Sequence, residues 1–267
     1  MIVRREKSLL IVILVEEINM DKPSINEYLK IRGVTIIGQY FNYDKNMHIR
    51  DITSQINLIV EVHKTLAGCN FNGTDKIKSI IGKEVEEYKV QIKKLQKHYD
   101  YIVDKCCGND VEKLILANGK IMLKQAKEAL NHIYGHDYFG VIKRSMNREE
   151  ICIGKVEQNN LRENEGKIEI GTIKGMAYNL VEEDLYNYIK KLQRKQFDID
   201  ERELIKLFVH ESHLSFNSFD YLNGLCSYPK DFLKIWERYR DDKKEKSNEE
   251  MVLELEKSLK YESRSFI

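Results

Sequence analysis

A polar loop predicted at residues 154–165 carries the side chains with the clearest chemical potential. Glu157 and Asn160 lie in this loop, and Glu169 follows on the next strand candidate. A carboxylate can accept the proton of an attacking hydroxyl, and carboxylate and amide oxygens are the ligands that Mg²⁺ prefers. Phosphoryl transfer uses these residue types, because it depends mainly on positioning and on neutralising phosphate charge.

The same loop carries the main objection to that chemistry. Lys155 is a cation and cannot accept a proton at neutral pH unless its pKa falls a long way. Asn160 offers one neutral oxygen, which alone does not make a metal site. Glu157 and Glu169 could act as replacement carboxylates. Side chains alternate between the two faces of a strand, so Glu169 is expected to point opposite to Ile168 and Ile170. A replacement active site is therefore the weaker interpretation.

Two strands and a helix must position this loop. Residues 151–153 are predicted to form a buried strand and residues 167–173 a second strand, and a helix begins near Glu182. Kinase-like folds build their catalytic centre from strand, loop, strand and helix in this order. Gly154 allows a tight turn after the first strand, since glycine tolerates a positive φ.

The stretch resembles the pattern C-H-G-D-x-H-x-x-N of sugar and aminoglycoside kinases, which continues with I-D-F and a later D-L on a helix. The matching residues are Cys152, Gly154, Asn160, Asp184 and Leu185. In that family the helix aspartate anchors the backbone of the catalytic loop. The resemblance therefore implies that Gly154 and Asp184 are structural loop anchors, because a carboxylate that accepts buried N–H groups serves stability.

The positions that carry the chemistry of those kinases differ in this sequence. Lys155 stands where the catalytic aspartate is expected, and Ile153 and Glu157 stand where the two histidines are expected. Gly171 stands at the metal-binding aspartate of I-D-F and has no side chain. The resemblance therefore implies a kinase-like protein with no catalytic residue, no metal ligand set and no cofactor.

Two further runs resemble the CotS-type spore-coat family, whose members are kinase-like proteins related to aminoglycoside phosphotransferases and choline kinases. They are EEDLYNYIKKLQRK at residues 182–195 and SYPKDFLKIWERYRDDKK at residues 227–244. The resemblance implies a structural role among other spore-coat or assembly proteins. It also implies a location in the mother-cell cytoplasm and the spore coat.

Composition limits the alternatives. The chain has 267 residues, with 44 basic and 43 acidic side chains and a net charge of +1, which gives no electrostatic case for a nucleic-acid binder. No run approaches the roughly 20 apolar residues that span a bilayer, so no membrane role is expected. The 5 cysteines lack metal-binding spacing and are expected to be reduced thiols.

The sequence divides into a reduced N-terminal lobe at residues 1–50 and a helical C-terminal lobe at residues 51–267. Residues 8–15 and 34–43 are strand candidates, and Ser24 can cap a helix with Glu27 at its third position. Neither G-x-G-x-x-G nor G-x-x-x-x-G-K-[ST] occurs, so the sequence offers no recognisable phosphate loop.

Helices dominate the larger lobe. Apolar periodicity and breakers predict helices at residues 51–68, 82–107, 110–134, 183–195, 200–213, 218–226, 230–240 and 248–261. The clearest stripe, expected to face the core rather than a partner helix, is Val85, Tyr88, Ile92, Leu95, Tyr99 and Ile102. Asp110 is expected to cap its helix, and the Asn118-Gly119 pair to kink or interrupt it.

The histidines are expected to have structural surroundings. His63 lies on an apolar helix face, where a satisfied and partly buried ring is favoured over a metal ligand. His210 and His213 do not form H-E-x-x-H, so a zinc protease is unsupported. His132 and His136 are four residues apart across Gly135, where a helix end exposed to solvent is favoured over metal binding.

These observations predict an α+β, protein-kinase-like fold of the aminoglycoside phosphotransferase type. The favoured function is a catalytically inactive structural component of the spore coat or its assembly. Two alternatives stay open: an atypical small-molecule phosphotransferase with displaced catalytic groups, and a pseudokinase that senses a nucleotide or metabolite.

Overall fold

The computed structural model describes residues 22–44, 46–105, 108–242 and 246–267. The strand predicted at residues 8–15 lies outside this range. The described residues form ten α-helices and one short 3-10 helix, Thr74–Lys76. The α-helices are α1 Ile25–Ile31, α2 Ile49–Leu66, α3 Lys83–Lys105, α4 Asp110–Gly135, α5 Tyr138–Asn147, α6 Glu182–Arg194, α7 Glu201–Glu211, α8 Phe216–Ser227, α9 Lys230–Arg240 and α10 Asn248–Glu262. No helix in these ranges is long and apolar enough to cross a membrane.

Two small sheets hold the loop region together. The strands are β1 Val34–Ile36, β2 Ile151–Cys152, β3 Leu161–Asn164, β4 Lys167–Ile170 and β5 Ala177–Tyr178. β4 is the central strand of the first sheet, parallel to β1 and antiparallel to β3, and β2 pairs antiparallel with β5 in the second. β1 therefore joins the N-terminal part of the described chain to the strands that flank the candidate loop.

Several local predictions are confirmed. The Ser24 hydroxyl accepts a hydrogen bond from the Glu27 N–H, and the Glu27 carboxylate accepts one from the Ser24 N–H, so α1 begins with the predicted capping box. The apolar stripe of α3 is buried at Val85, Leu95 and Ile102, and it faces the protein's own core as predicted.

The structure corrects other predictions. The residue that caps α4 is Asn109, not Asp110, because the Asn109 side chain accepts the N–H of Glu112. α4 continues through Asn118-Gly119 without a break. A Cβ at Gly119 would lie 3.1 Å from the Trp236 ring, so this glycine allows close helix packing rather than a kink.

The strand and loop boundaries also differ from the predictions. The strand predicted at residues 34–43 ends at Ile36, and the second predicted strand ends at Ile170 rather than at residue 173. The predicted loop at residues 154–165 contains β3, which pairs with β4 in a hairpin. The sequence pattern does not predict α5. This helix begins after Asp137, which caps it and has a left-handed backbone conformation.

Candidate functional site

Asp184, in the first turn of α6, binds the backbone at the start of the candidate loop. Its Oδ2 accepts the backbone N–H of Ile153 at 2.8 Å, and its Oδ1 accepts that of Gly154 at 2.9 Å. The side chain is 1% exposed. Hydrogen bonds from buried N–H groups to a carboxylate are strong, and they fix the direction in which the chain leaves β2.

His63 reaches the same carboxylate from α2. Its Nε2 lies 2.9 Å from Asp184 Oδ2, and its ring packs edge-on against Phe208. The ring is buried as predicted, but only one of its nitrogens is satisfied, because Nδ1 has no hydrogen-bond partner. Its partner could not be predicted from local pattern, because His63 and Asp184 are 121 residues apart.

Arg144, on the unpredicted helix α5, braces the two ends of the loop region. It donates to Glu150 at 2.8 Å, just before β2, and to Glu182 at 2.7 Å, at the start of α6. Both carboxylates are buried. The guanidinium also donates to the Ser218 hydroxyl at 2.7 Å, so a single side chain connects α5, α6 and α8 around the loop.

Asn160 closes the loop on itself. Its Nδ2 donates to the carbonyls of Lys155 at 2.7 Å and Thr172 at 3.0 Å, and its Oδ1 accepts the Thr172 N–H at 2.8 Å. Asn160 is fully buried. Gly154 has a φ of +80°, and a Cβ there would lie 2.7 Å from the Gly175 carbonyl, so a larger residue would not fit.

Residues 37–43, here called the crossing segment, run from β1 across the same loop. The Ile37 N–H donates to Ile170 at 2.8 Å, and the Phe41 N–H donates to Asn159 at 2.7 Å. Between these two bonds, the Gln39 carbonyl oxygen lies 2.6 Å from where a Cβ at Gly171 would stand. Asn160 Oδ1 would be 2.9 Å from the same point. A carboxylate at position 171 therefore has no room in this arrangement.

Lys155 is also bound to the crossing segment. Its Nζ donates to the Tyr40 hydroxyl at 2.5 Å and lies 4.8 Å from the centre of the Tyr40 ring. The hydrogen bond with Tyr40 raises the pKa of Lys155, which keeps the amine charged and unable to accept a proton at neutral pH. No sequence pattern indicated Tyr40, which is 115 residues away.

Glu157 and Glu169, the two candidate replacement carboxylates, each form an ion pair with a basic side chain. Glu157 Oε1 lies 2.7 Å from Lys191 Nζ on α6. Glu169 accepts from Asn164 and from Arg162 across the β3–β4 hairpin, and these hydrogen bonds lower the pKa of Glu169. A carboxylate with a lowered pKa is a weaker base, so Glu169 is poorly suited to activate a hydroxyl.

The residues around the loop therefore do not fit the Mg²⁺ that phosphoryl transfer uses. Gly171 offers no ligand, and the single amide oxygen of Asn160 already accepts the Thr172 N–H. Within the described ranges, His63, Cys152 and Asp184 are close enough to hold a metal ion and are all buried. Both Asp184 oxygens already accept backbone N–H groups, and the Cys152 thiol donates to the Leu180 carbonyl at 3.0 Å.

Comparison with known proteins supports the fold. No protein-family profile and no curated protein sequence matches this chain. The structure is similar to a crystal structure of aminoglycoside phosphotransferase from Alicyclobacillus acidocaldarius subsp. acidocaldarius DSM 446, with a TM-score of 0.68. The match covers 89% of this chain and 77% of that one, at 10% sequence identity. The chain thus has a kinase-like fold at the level of its overall architecture.

Proposed function

We propose that this chain is a kinase-like protein that transfers no phosphate and acts as a structural or assembly component. The observation that carries the proposal is the position of the crossing segment. The Gln39 carbonyl takes the space that a side chain at position 171 would need. In the kinase pattern that this stretch resembles, this position holds the metal-binding aspartate, so the crossing segment takes the space of that side chain.

The surroundings of Lys155 support the same proposal. The catalytic position is a cation whose amine is bound to Tyr40 rather than directed at an acceptor hydroxyl. A point charge can pair with a phosphate, but it does not replace a base and a metal. The hydrogen bonds of Asp184 and Asn160 fix the conformation of the loop. This is compatible with a protein in which the loop has a structural role and no catalytic one.

The spore coat is the proposed setting, and it rests on the resemblance of residues 182–195 and 227–244 to the CotS-type family. The first run forms α6, and the described part of the second run contains α9, with Tyr228, Phe232 and Trp236 fully buried. A fluorescent fusion expressed in a sporulating, endospore-forming bacterium tests this setting. We expect it to gather around the forespore and to appear in coat extracts. A diffuse signal absent from coat extracts would contradict the proposal.

Calorimetry and a phosphate-transfer assay with Mg-ATP test the lack of activity. We expect no phosphate transfer. We also expect Mg-ATP to bind more weakly than a micromolar Kd, which would correspond to a binding free energy of about −8 kcal/mol. The double variant Lys155→Asp with Gly171→Asp should also fail to transfer phosphate, because the crossing segment still opposes a side chain at position 171. Lys174→Asp, on an exposed turn nearby, is the control for the charge change.

Two outcomes would favour the alternatives. Micromolar binding of Mg-ATP by the unmodified protein without transfer would make a sensing pseudokinase the better interpretation. Transfer to a hydroxylated metabolite would make the chain an atypical phosphotransferase. A thermal-shift screen with ATP, Mg²⁺ and common hydroxylated metabolites would reveal either behaviour.

A further inference from the structure

Helices α4 and α8 run antiparallel and approach closely at the C-terminal end of α4. Gln125 donates to the Ser227 carbonyl at 2.8 Å at one end of the contact. Further along, a Cβ at Gly224 would lie 2.5 Å from the Ile133 side chain, so only glycine permits this helix separation. The same approach brings His132 on α4 within 3.6 Å of Asp220 on α8.

His136, the residue that caps α4, adds a second imidazole to this contact. The two histidine rings lie 4.1 Å apart, centre to centre. His136 Nδ1 lies 2.8 Å from the carbonyl oxygen of His132, and an oxygen there requires the ring nitrogen to donate. In the neutral ring this leaves the Nε2 lone pair of His136 free. Metal-ligating histidines commonly show this bond from the other ring nitrogen to a backbone carbonyl.

His132 presents a nitrogen that lacks a hydrogen-bond partner. Its Nε2 is buried and makes no hydrogen bond, although the Asp220 carboxylate is 3.6 Å away. Buried polar atoms in folded proteins are nearly always paired, and an unpaired one calls for an explanation such as an ion. The ring is only 18% exposed, so the predicted solvent-exposed helix end is wrong for His132.

We propose that His132, His136 and Asp220 form a binding site for a divalent transition-metal ion, with zinc the best fit. One ligand atom from each residue lies within 4.8 Å of the others. Two imidazoles and one carboxylate are ligands that zinc takes, with a fourth position left for water. Ligand atoms around tetrahedral zinc lie about 3.3 Å apart, by the usual bond lengths. The exposed His136 side chain, at the end of α4, is the ligand that can shift to close this distance.

This site differs in kind from the buried group of His63, Cys152 and Asp184. In that group both carboxylate oxygens and the thiol already have protein partners. His63 Nδ1 is also unpaired, but all three residues of that group are buried. At the α4–α8 site, His136 is open to solvent, so an ion can reach the unpaired Nε2 of His132. A bound ion would fasten the end of α4 to α8.

Calorimetric titration of the chelator-treated full chain with zinc alone tests the proposal. We expect one ion per chain, a rise in melting temperature on zinc addition because the ion binds the folded state, and visible absorption typical of tetrahedral coordination when Co²⁺ is used. His136→Ala and Asp220→Asn should each weaken zinc binding by at least about 10-fold, because even the loss of a residue that only supports a metal ligand has an effect of this size. His136 is exposed, so His136→Ala is expected to fold normally in the absence of metal.

The control is His210→Ala, because the His210 side chain is 83% exposed and lies outside the site. It should leave zinc affinity unchanged. No zinc binding by the unmodified chain at tens of micromolar would overturn the proposal. Full affinity in His136→Ala, or loss of binding in Cys152→Ser but not in His136→Ala, would also overturn it, since the ion would then bind elsewhere.

Discussion

The loop at residues 154–160 is held in two different ways. On its helix side, defined by the contacts with Asp184 and His63, the polar groups that bind it are buried. On its segment side, defined by the contacts with the crossing segment, the Lys155 side chain and Tyr40 are exposed. Their difference teaches that buried contacts fix the course of this loop, while the exposed contacts with the crossing segment are free to change at little cost in stability.

The energetic weight of the two sides follows from their solvation. A hydrogen bond lost in the interior leaves its former partner without water, which costs about 1–3 kcal/mol for each group. A bond at the surface is replaced by water and contributes little. The comparison therefore predicts a steep gradient of mutational cost from the helix side to the segment side.

The largest effect is expected for Asp184→Ala. This change removes the acceptor of two buried backbone N–H groups and the partner of His63, so we expect the free energy of unfolding to fall by about 3 kcal/mol or more. Urea denaturation measures it, and Asp198→Ala, at an exposed position before α7, is the control. An unchanged denaturation midpoint would mean that the loop does not depend on this anchor.

The next effect depends on pH and concerns Glu183, beside the anchor. Burial raises the pKa of Glu183 to about 8 from an ordinary 4.5, so between these values the folded chain keeps a proton that the unfolded chain has lost. The contribution of Glu183 to stability therefore decreases as pH rises through this window. Relative to the unmodified chain, Glu183→Gln should gain about 2.5 kcal/mol between pH 5.5 and 7.5, slightly less than the limit of about 1.4 kcal/mol per pH unit because titration is incomplete at both ends.

Denaturation curves of both proteins at the two pH values measure this gain. Glu163→Gln, at an exposed position in β3, controls for the general loss of a negative charge. A difference between Glu183→Gln and the unmodified chain that stays constant with pH would show that the carboxyl group is ionised in the folded state.

A smaller cost is expected for Gly171→Ala. The added Cβ would meet the Gln39 carbonyl at 2.6 Å, and forcing one methyl group into a filled space costs about 1–3 kcal/mol. Amide exchange at Ile37 and Phe41 should become faster if the crossing segment moves away. Gly135→Ala, where a Cβ meets nothing within 4 Å, is the matched control and should not destabilise the chain in this way.

The smallest effect is expected for Lys155→Ala. The amine and the Tyr40 hydroxyl meet at an exposed position, so the loss should stay below about 1 kcal/mol. The same denaturation experiment measures it. A cost for Lys155→Ala equal to that of Asp184→Ala would remove the difference between the two sides.

Local sequence signals predicted the helices well. The capping box of Ser24 and Glu27 needs only four neighbouring residues, and the stripe of α3 repeats within one helix, so both could be found in the sequence. β1 was predicted too long because its end depends on the length of its partner β4, more than 100 residues later. Helix α5 was missed, since it begins beyond a left-handed Asp137 that interrupts the pattern.

The candidate site shows the same division. The loop positions and the anchor role of Asp184 follow from the resemblance to the kinase pattern. The contacts of Asp184 with His63 and of Lys155 with Tyr40 join residues separated by 121 and 115 positions, and no local pattern encodes them. His132 and His136 were visible as a pair, but Asp220 joins them only through the packing of α4 on α8.

The parallel pairing of β1 with β4 also has a mechanical consequence. Val34 to Ile36 stand beside Ile168 to Ile170 in the same direction, and the pairing crosses the boundary predicted at residue 50. The hydrogen bonds of a parallel pair are evenly spaced along both strands. When the strands are pulled from opposite ends, these bonds therefore share the load rather than break one after another. Tension applied between the N-terminal part of the described chain and the chain after β4 would therefore shear this ladder. We expect single-molecule stretching to record one abrupt rupture there instead of gradual unzipping.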